Sequence, residues 1–177
     1  MRKLVFGLLL TVAACAQQKP PPPTIALPAA VETARADVEQ KVVERFGAAA
    51  LARARSAPEF IAVLRYPGLP PPPYDTDGHP IKPHYPTALL FRENGRWFAY
   101  GMEGVHPMLP RWSAPLDALL ANPALWSEPL DGGEVGCTDS GGSYVWLRVG
   151  GHPEQARIGH CGGSPLTEQL VSAAFMG

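Results

Sequence analysis

The stretch TALLFRENGRWFAYG, residues 87–101, predicts the clearest β-hairpin of the chain. Its Asn94-Gly95 pair is the strongest two-residue turn signal, because these residue types tolerate the positive φ that such turns require. The turn sets the register, so Arg92 is expected opposite Trp97. The side chains expected to share the core face of this hairpin are those of Leu89, Phe91, Phe98 and Tyr100.

Periodicity elsewhere predicts a second hairpin and a long helix. Alternating apolar residues at 144–149 and a second strand at 156–161 flank a Gly- and Pro-containing turn. Between about residues 28 and 55, apolar residues recur at helical steps, and Gly47 favours a kink or break. These patterns predict an α+β fold, with a small antiparallel sheet of two β-hairpins and several helices packed over one side.

Four segments combine a capping residue with a proline in the following turn, which is typical of helix N-termini. In the first, Ser56 and Glu59 form a capping box that predicts a short helix through Leu64. The apolar run at 60–64 is also compatible with a buried strand, so that alternative stays open. The other three predicted helix starts are at Ser113, Asn122 and Ser164.

The N-terminus has the layout of a secretory signal peptide. Arg2 and Lys3 precede an apolar run at 4–14, which then gives way to polar residues. A membrane-spanning helix needs about 20 apolar residues, so this run is too short to remain as a permanent span. We therefore predict that residues 1–14 are a signal peptide.

Val12, Ala13, Ala14 and Cys15 resemble the lipobox of bacterial lipoproteins, in which an aliphatic residue and two small residues precede an invariant cysteine. The resemblance covers these four positions and implies cleavage before Cys15, followed by lipidation of its thiol and amine with acyl chains such as palmitate. Several acyl chains make a stable anchor. Ala16 is not the aspartate that retains family members at the inner membrane, so we expect the outer membrane, facing the periplasm.

The anchor divides the remaining chain into a tether and a domain. Residues 15–28 are predicted to form a tether, because the prolines at 20–23 favour extended polyproline II. Residues 29–177 are predicted to form a single globular domain, because a mature chain of 163 residues can bury one core. Within it, residues 66–86 hold eight prolines in 21 residues and predict an irregular loop.

Cys137 and Cys161 remain after Cys15 enters the anchor, in a compartment that permits disulfides. We predict that these two cysteines form one disulfide. The bridge would close a loop of about 25 residues, which the chain-entropy model values at about 3 to 4 kcal/mol.

The loop at 66–86 is a candidate binding region, because loops of this length are usually functional or disordered. Its candidate binding residues are Tyr74, His79 and His84. Together with Asp75 and Asp77 the histidines could ligate a metal, but their spacing matches no established template. We therefore expect a solvated turn and predict no metal and no cofactor.

The segment Asp139-Ser140-Gly141-Gly142 resembles the nucleophile segment of chymotrypsin-like serine proteases. It departs from that family because the proline after the glycines and an upstream Ala-Ala-His-Cys segment are both missing. A triad is defined by geometry, and only one of its members has a local signature in this chain. A periplasmic hydrolase is therefore kept as an alternative only.

Ser140 and Tyr144 also fit the Ser-Gly-x-x-Tyr motif of C-type lysozyme inhibitor lipoproteins, whose serine and tyrosine enter the enzyme's cleft. This chain lacks the family's second motif, and its helical N-terminal half is foreign to that small β-rich fold. The resemblance implies, as a further alternative, that Ser140 and Tyr144 inhibit lysozyme.

Charge and composition narrow the function. The mature chain carries 13 basic against 16 acidic residues and has no basic cluster, so nucleic acid is not an expected partner. The sequence has no complete catalytic set, so we expect a non-catalytic binding or structural module of the cell envelope. Its expected partners are the membrane, through the lipid anchor, and an envelope protein or cell-wall component.

Overall fold

The computed structural model describes residues 28–66, 76–77, 85–132, 141–159 and 164–176. In these ranges the chain forms two helices, four strands, two helices, two strands and a final helix, in that order. Their bounds are α1 (Ala29–Phe46), α2 (Ala48–Ser56), β1 (Glu59–Tyr66), β2 (Thr87–Glu93), β3 (Arg96–Gly101), β4 (Gly104–Pro107), α3 (Pro110–Leu120), α4 (Pro123–Ser127), β5 (Gly142–Arg148), β6 (Gln155–Gly159) and α5 (Pro165–Ala174).

The six described strands form one sheet in the order β4-β3-β2-β1-β5-β6. Every neighbouring pair is antiparallel. The central strand, β1, pairs with β2 on one side and with β5 on the other. Its residues 60–64 are completely buried, because both of its faces are covered.

Helices cover both faces of the sheet. On one face, α1 and α2 pack over Phe60, Phe91 and Trp146. On the other face, α3, α4 and α5 pack over Ile61 and Leu147. The result is three layers, with the antiparallel sheet between two layers of helices.

The α+β class is confirmed, but two features of the predicted architecture are wrong. The sheet is larger than two hairpins, because β1 lies between them and β4 extends the first. Helices also lie on both sides of the sheet and not on one. The common reason is the apolar run at 60–64, which carries apolar residues toward both faces and so shows no alternation in the sequence.

Two predicted helix starts are also wrong. Ser56 ends α2, where its Oγ donates a hydrogen bond to the carbonyl of Arg53 at 2.7 Å, and Glu59 opens β1. The open strand alternative for residues 60–64 is therefore the correct one. The helix predicted from Ser113 begins earlier, at Pro110, because a proline in the first turn loses no intrahelical hydrogen bond.

Other local predictions are confirmed. In the first hairpin Phe91 pairs with Phe98 and Arg92 pairs with Trp97. Gly47 separates α1 from α2 with a φ of 89°, a conformation that favours glycine. The Asn122 side chain caps α4 by accepting a hydrogen bond from the Ala124 amide at 3.0 Å. A second hairpin (β5 and β6) and a helix after Ser164 are also present.

Several predicted features lie outside the described residues. They include the signal peptide, the lipidation site Cys15, nearly all of the tether, and the disulfide partners Cys137 and Cys161. In the ranges that are described, no helix combines the length and the apolar character needed to cross a membrane.

The substitution Ile61→Ala is expected to lower the free energy of unfolding by about 2 to 5 kcal/mol, because it leaves a cavity in the central strand. Urea unfolding followed by circular dichroism measures the change. Met102→Ala is the control, since that side chain is 93% exposed, and it should change stability by less than about 0.5 kcal/mol. Equal unfolding midpoints for the two variants would contradict the central position of β1.

Candidate functional site

An open groove of about 580 Å³ lies between the start of β1, the ends of α3 and α4, and the turn after β5. Cavities of about 300 to 1,000 Å³ commonly hold small ligands. We call it the Asp117 groove. Its polar lining consists of Glu59, Arg92, Asp117 and His152, and its apolar lining includes Leu120, Pro123, Trp126 and Val149.

Arg92 joins the two carboxylates of the Asp117 groove. Glu59 lies directly opposite Arg92 in the register of β1 and β2. The Arg92 Nη1 atom is 3.0 Å from Glu59 Oε2 and 3.5 Å from Asp117 Oδ1. One guanidinium nitrogen therefore bridges a strand carboxylate and a helix carboxylate.

Neutral donors complete the positioning of both carboxylates. Trp97, which is buried, donates from its indole Nε1 to Asp117 Oδ1 at 2.8 Å. The Gly150 amide donates to Glu59 Oε1 at 2.8 Å. Asp117 is thus held by a donor from the sheet, and Glu59 by a donor from the turn after β5.

The Arg92 guanidinium is less accessible than the Asp117 carboxylate but more accessible than that of Glu59. The Arg92 Nε atom is buried and has no hydrogen-bond partner among the described residues. The Arg92 side chain is 31% exposed, whereas that of Asp117 is 42% exposed. Among the described residues, the hydrogen bond and the ion pair of the Asp117 carboxylate are both made through Oδ1.

A stacked aromatic pair, Trp126 and His152, also lines the Asp117 groove. The Trp126 and His152 rings stack with their centroids 3.7 Å apart and an interplanar angle of 12°. The Trp126 indole donates to the carbonyl of Leu120 at 2.9 Å, which ties α4 to the end of α3. This aromatic lining is fixed by hydrogen bonding as well as by packing.

A buried arginine supports α4 from behind. Arg157 is 1% exposed, and its Nη2 donates to the carbonyls of Leu125 and Glu128 at 2.6 and 3.1 Å. Burial lowers the pKa of the Arg157 guanidinium, and the Glu128 carboxylate opposes that shift. The same carboxylate accepts hydrogen bonds from the Leu166 and Thr167 amides at 2.7 and 2.9 Å, and so caps α5.

The arrangement in the groove is suited to recognition. Its carboxylates are oriented by fixed donors, and its apolar wall can exclude water from a bound side chain. In the described ranges no group of three or more His, Cys, Asp or Glu side chains is placed to hold a metal ion.

Most of the binding residues predicted from the sequence lie outside the described residues. These are Tyr74, His79, His84 and Ser140. Tyr144 is described and lies on β5, but at the end of the sheet away from the Asp117 groove. The structure therefore brings none of the predicted residues that it describes into the groove.

Tyr144 belongs to a cluster of three tyrosines with Tyr66 and Tyr85. Their rings meet edge to face, with the Tyr66 centroid 5.1 Å from Tyr85 and 5.0 Å from Tyr144. The Tyr66 hydroxyl donates to Asp37 Oδ2 of α1 at 3.1 Å. Burial, reinforced by the Asp37 charge, raises the pKa of Tyr66 and of Tyr144 above the ordinary value of 10.0.

The groove residues were missed because their sequence signals point elsewhere. Glu59 fits a capping box, and His152 precedes a proline in a predicted turn. One signal was available, since the hairpin register places Arg92 opposite Trp97, and the guanidinium lies 5.6 Å from that indole ring. Nothing local in the sequence joins this pair to Asp117.

The chain matches no protein-family model, no curated protein and no solved structure.

The raised pKa of Tyr66 predicts a loss of stability at alkaline pH. The Tyr66 hydroxyl loses its proton at a lower pH in the unfolded chain than in the folded one. The contribution of the protonated hydroxyl to the free energy of unfolding is therefore complete below about pH 10 and declines as the pH rises above that value. Tyr66→Phe should therefore unfold more easily at neutral pH, by about 1 kcal/mol for the lost hydrogen bond. It should also lose less stability than the parent between about pH 9 and about pH 11.

Urea unfolding at a series of pH values measures both effects. Tyr85→Phe is the matched control, because it keeps the hydrogen bond between Tyr66 and Asp37. An unchanged alkaline slope in Tyr66→Phe would show that this hydroxyl is not responsible.

Proposed function

We propose that this protein is a non-catalytic binding module of the bacterial cell envelope that holds its ligand in the Asp117 groove. The observation that carries the proposal is the pair of carboxylates, Glu59 and Asp117, bridged by Arg92 at the floor of an open groove. Each carboxylate accepts a further hydrogen bond from the fold itself. Such pre-oriented charges favour selective binding of a complementary group.

The envelope location rests on the N-terminal sequence. The lipobox resemblance at Val12 to Cys15 supports lipidation of Cys15 after removal of residues 1–14. The tether that follows ends where α1 begins, at Ala29. An anchored domain at the outer membrane, facing the periplasm, is part of the proposal, and its partner there is an envelope protein or a cell-wall component.

A disulfide between Cys137 and Cys161 is also part of the proposal. Cys137 precedes β5 by five residues, and Cys161 follows β6 by two. Ser143 of β5 pairs with Gly159 of β6, so the chain enters and leaves this hairpin at neighbouring points. This adjacency supports a bridge across the open end of the hairpin.

Lysozyme inhibition and hydrolysis stay as predictions from the sequence. An inhibitory tyrosine must stand clear of the surface to enter an enzyme's cleft. The ring of Tyr144 instead packs against Tyr66 and is partly buried against a cluster formed by α1 and β6, namely Val31, Ala34, Ala156 and Ile158. This packing does not favour the inhibitor alternative, and Ser140, on which both alternatives depend, lies outside the described residues.

The disulfide predicts that reduction destabilises the exported protein by about 3 to 4 kcal/mol. Urea unfolding with and without dithiothreitol measures the difference. The double variant Cys137→Ser/Cys161→Ser is the control, because dithiothreitol should not alter the stability of a protein without this bridge. Two alkylatable thiols in the native, unreduced protein would contradict the bridge.

The proposed binding site predicts that a photo-crosslinking amino acid at Ala121 captures a partner in intact cells. Ala121 is an exposed residue that lines the Asp117 groove. The same crosslinker at Glu44, on the exposed face of α1, is the matched control. Adducts identified by mass spectrometry should appear at Ala121 and not at Glu44.

Cys15→Ser tests the anchor in the same experiment. It should abolish incorporation of labelled palmitate and reduce the Ala121 adduct, because the domain is then no longer held at the membrane. Identical adducts at Ala121 and Glu44, or none at either position, would count against the groove as the binding site.

A further inference from the structure

We infer that the ligand of the Asp117 groove is a short peptide segment carrying a primary amine, with its ammonium group bound at the Asp117 carboxylate. The inference rests on the proposed function, because it names the ligand class of the same groove. Three properties of the groove carry it: the balance of charge, the unused acceptor on Asp117, and the apolar wall beside it.

The charge balance favours a cation. The groove is lined by two carboxylates, Glu59 and Asp117, and by one guanidinium, that of Arg92. Since Arg92 already contacts both carboxylates, one negative charge remains without a counter-charge in the groove lining. A ligand ammonium would supply it.

The hydrogen-bonding geometry places that negative charge on Asp117. The Asp117 Oδ1 atom accepts a hydrogen bond from the Trp97 indole and contacts Arg92. Among the described residues, no donor is hydrogen-bonded to Oδ2. Glu59 is less available, because Gly150 and Arg92 engage one of its oxygens each and its side chain is 19% exposed. An ammonium has three donors and no acceptor, so it suits an open carboxylate oxygen.

The apolar wall indicates that the amine ends an aliphatic chain. Leu120, Pro123 and Trp126 line the groove beside Asp117. Lysine-like side chains bury their methylene stems on apolar surface while the charged end reaches a polar partner. A lysine, or a diamino acid of a cell-wall peptide, has this shape, and a groove of about 580 Å³ accepts neighbouring residues as well.

An anionic ligand would need the guanidinium of Arg92. Bidentate binding of a carboxylate uses two guanidinium nitrogens on one edge. The Nε edge of Arg92 is enclosed, since Nε is buried, and Nη1 is occupied by both protein carboxylates. The geometry therefore favours an amine over a carboxylate.

Binding of three capped tripeptides to the ¹⁵N-labelled full-length mature protein tests the inference. The peptides are acetyl-Ala-Lys-Ala-amide, its Nε-acetylated form and acetyl-Ala-Glu-Ala-amide. The reporter is the indole N–H signal of Trp126, assigned with Trp126→Phe. The lysine peptide should shift this signal in a saturable manner, and the two other peptides should bind at least about tenfold more weakly.

Asp117→Asn should weaken binding of the lysine peptide about tenfold, because it removes the charge and keeps an acceptor for the Trp97 indole. Glu59→Gln should weaken binding less. The matched control Glu44→Gln, on the opposite helical layer, should leave the affinity unchanged. Raising the salt concentration should weaken binding of the lysine peptide to the parent protein.

Three outcomes would overturn the inference that the ligand carries an amine. They are equal binding of the lysine and Nε-acetyl-lysine peptides, stronger binding of the glutamate peptide, and no shift with any peptide. The Ala121 crosslink separates this failure from failure of the proposed function. An adduct at Ala121 without lysine-peptide binding leaves the groove as a binding site and rejects only its ligand class.

The adduct also distinguishes the two sources of the amine. Tryptic peptides of a second protein in the adduct would identify a protein lysine. Release of the adduct by a muramidase would identify a cell-wall peptide. An adduct to a molecule without an amine would overturn the inference.

Discussion

Burial of β1 on both faces is the constraint on which the rest of the structure depends. A strand with apolar side chains in both directions must have a helical layer above and below the sheet, and a partner strand on each side. The central place of β1 also brings its first residue, Glu59, beside Arg92 of β2 and beside Gly150 after β5. The Asp117 groove therefore exists because β1 is central.

The physical character of the groove follows from partial burial of its charges. An ion pair in full solvent is worth little, whereas Glu59 is mostly shielded and Asp117 lies close to an indole and an apolar wall. Charges in such surroundings are screened less and are oriented before a ligand arrives. The groove can therefore distinguish ligands by their charge, although only a few of its residues offer polar contacts to a ligand.

The two ends of β1 have different surroundings. Glu59, at one end, lies in the Asp117 groove, and Tyr66, at the other, lies in the tyrosine cluster. A strand of eight residues separates these ends by roughly 25 Å. The binding residues predicted from the sequence belong to, or adjoin, segments that leave the sheet at the Tyr66 end. The groove is at the opposite end, so substitutions at one end should not disturb the other directly.

Local chemistry let the sequence alone determine the α+β class, the register of the first hairpin, the helix break at Gly47 and the cap at Asn122. Each depends on residues a few positions apart, such as the Asn94-Gly95 turn. Only the tertiary structure decided the central place of β1, the two helical layers and the groove. Its contacts join residues 33 and 20 positions apart, namely Glu59 with Arg92 and Trp97 with Asp117. Such contacts depend on strand order, which residue spacing does not encode.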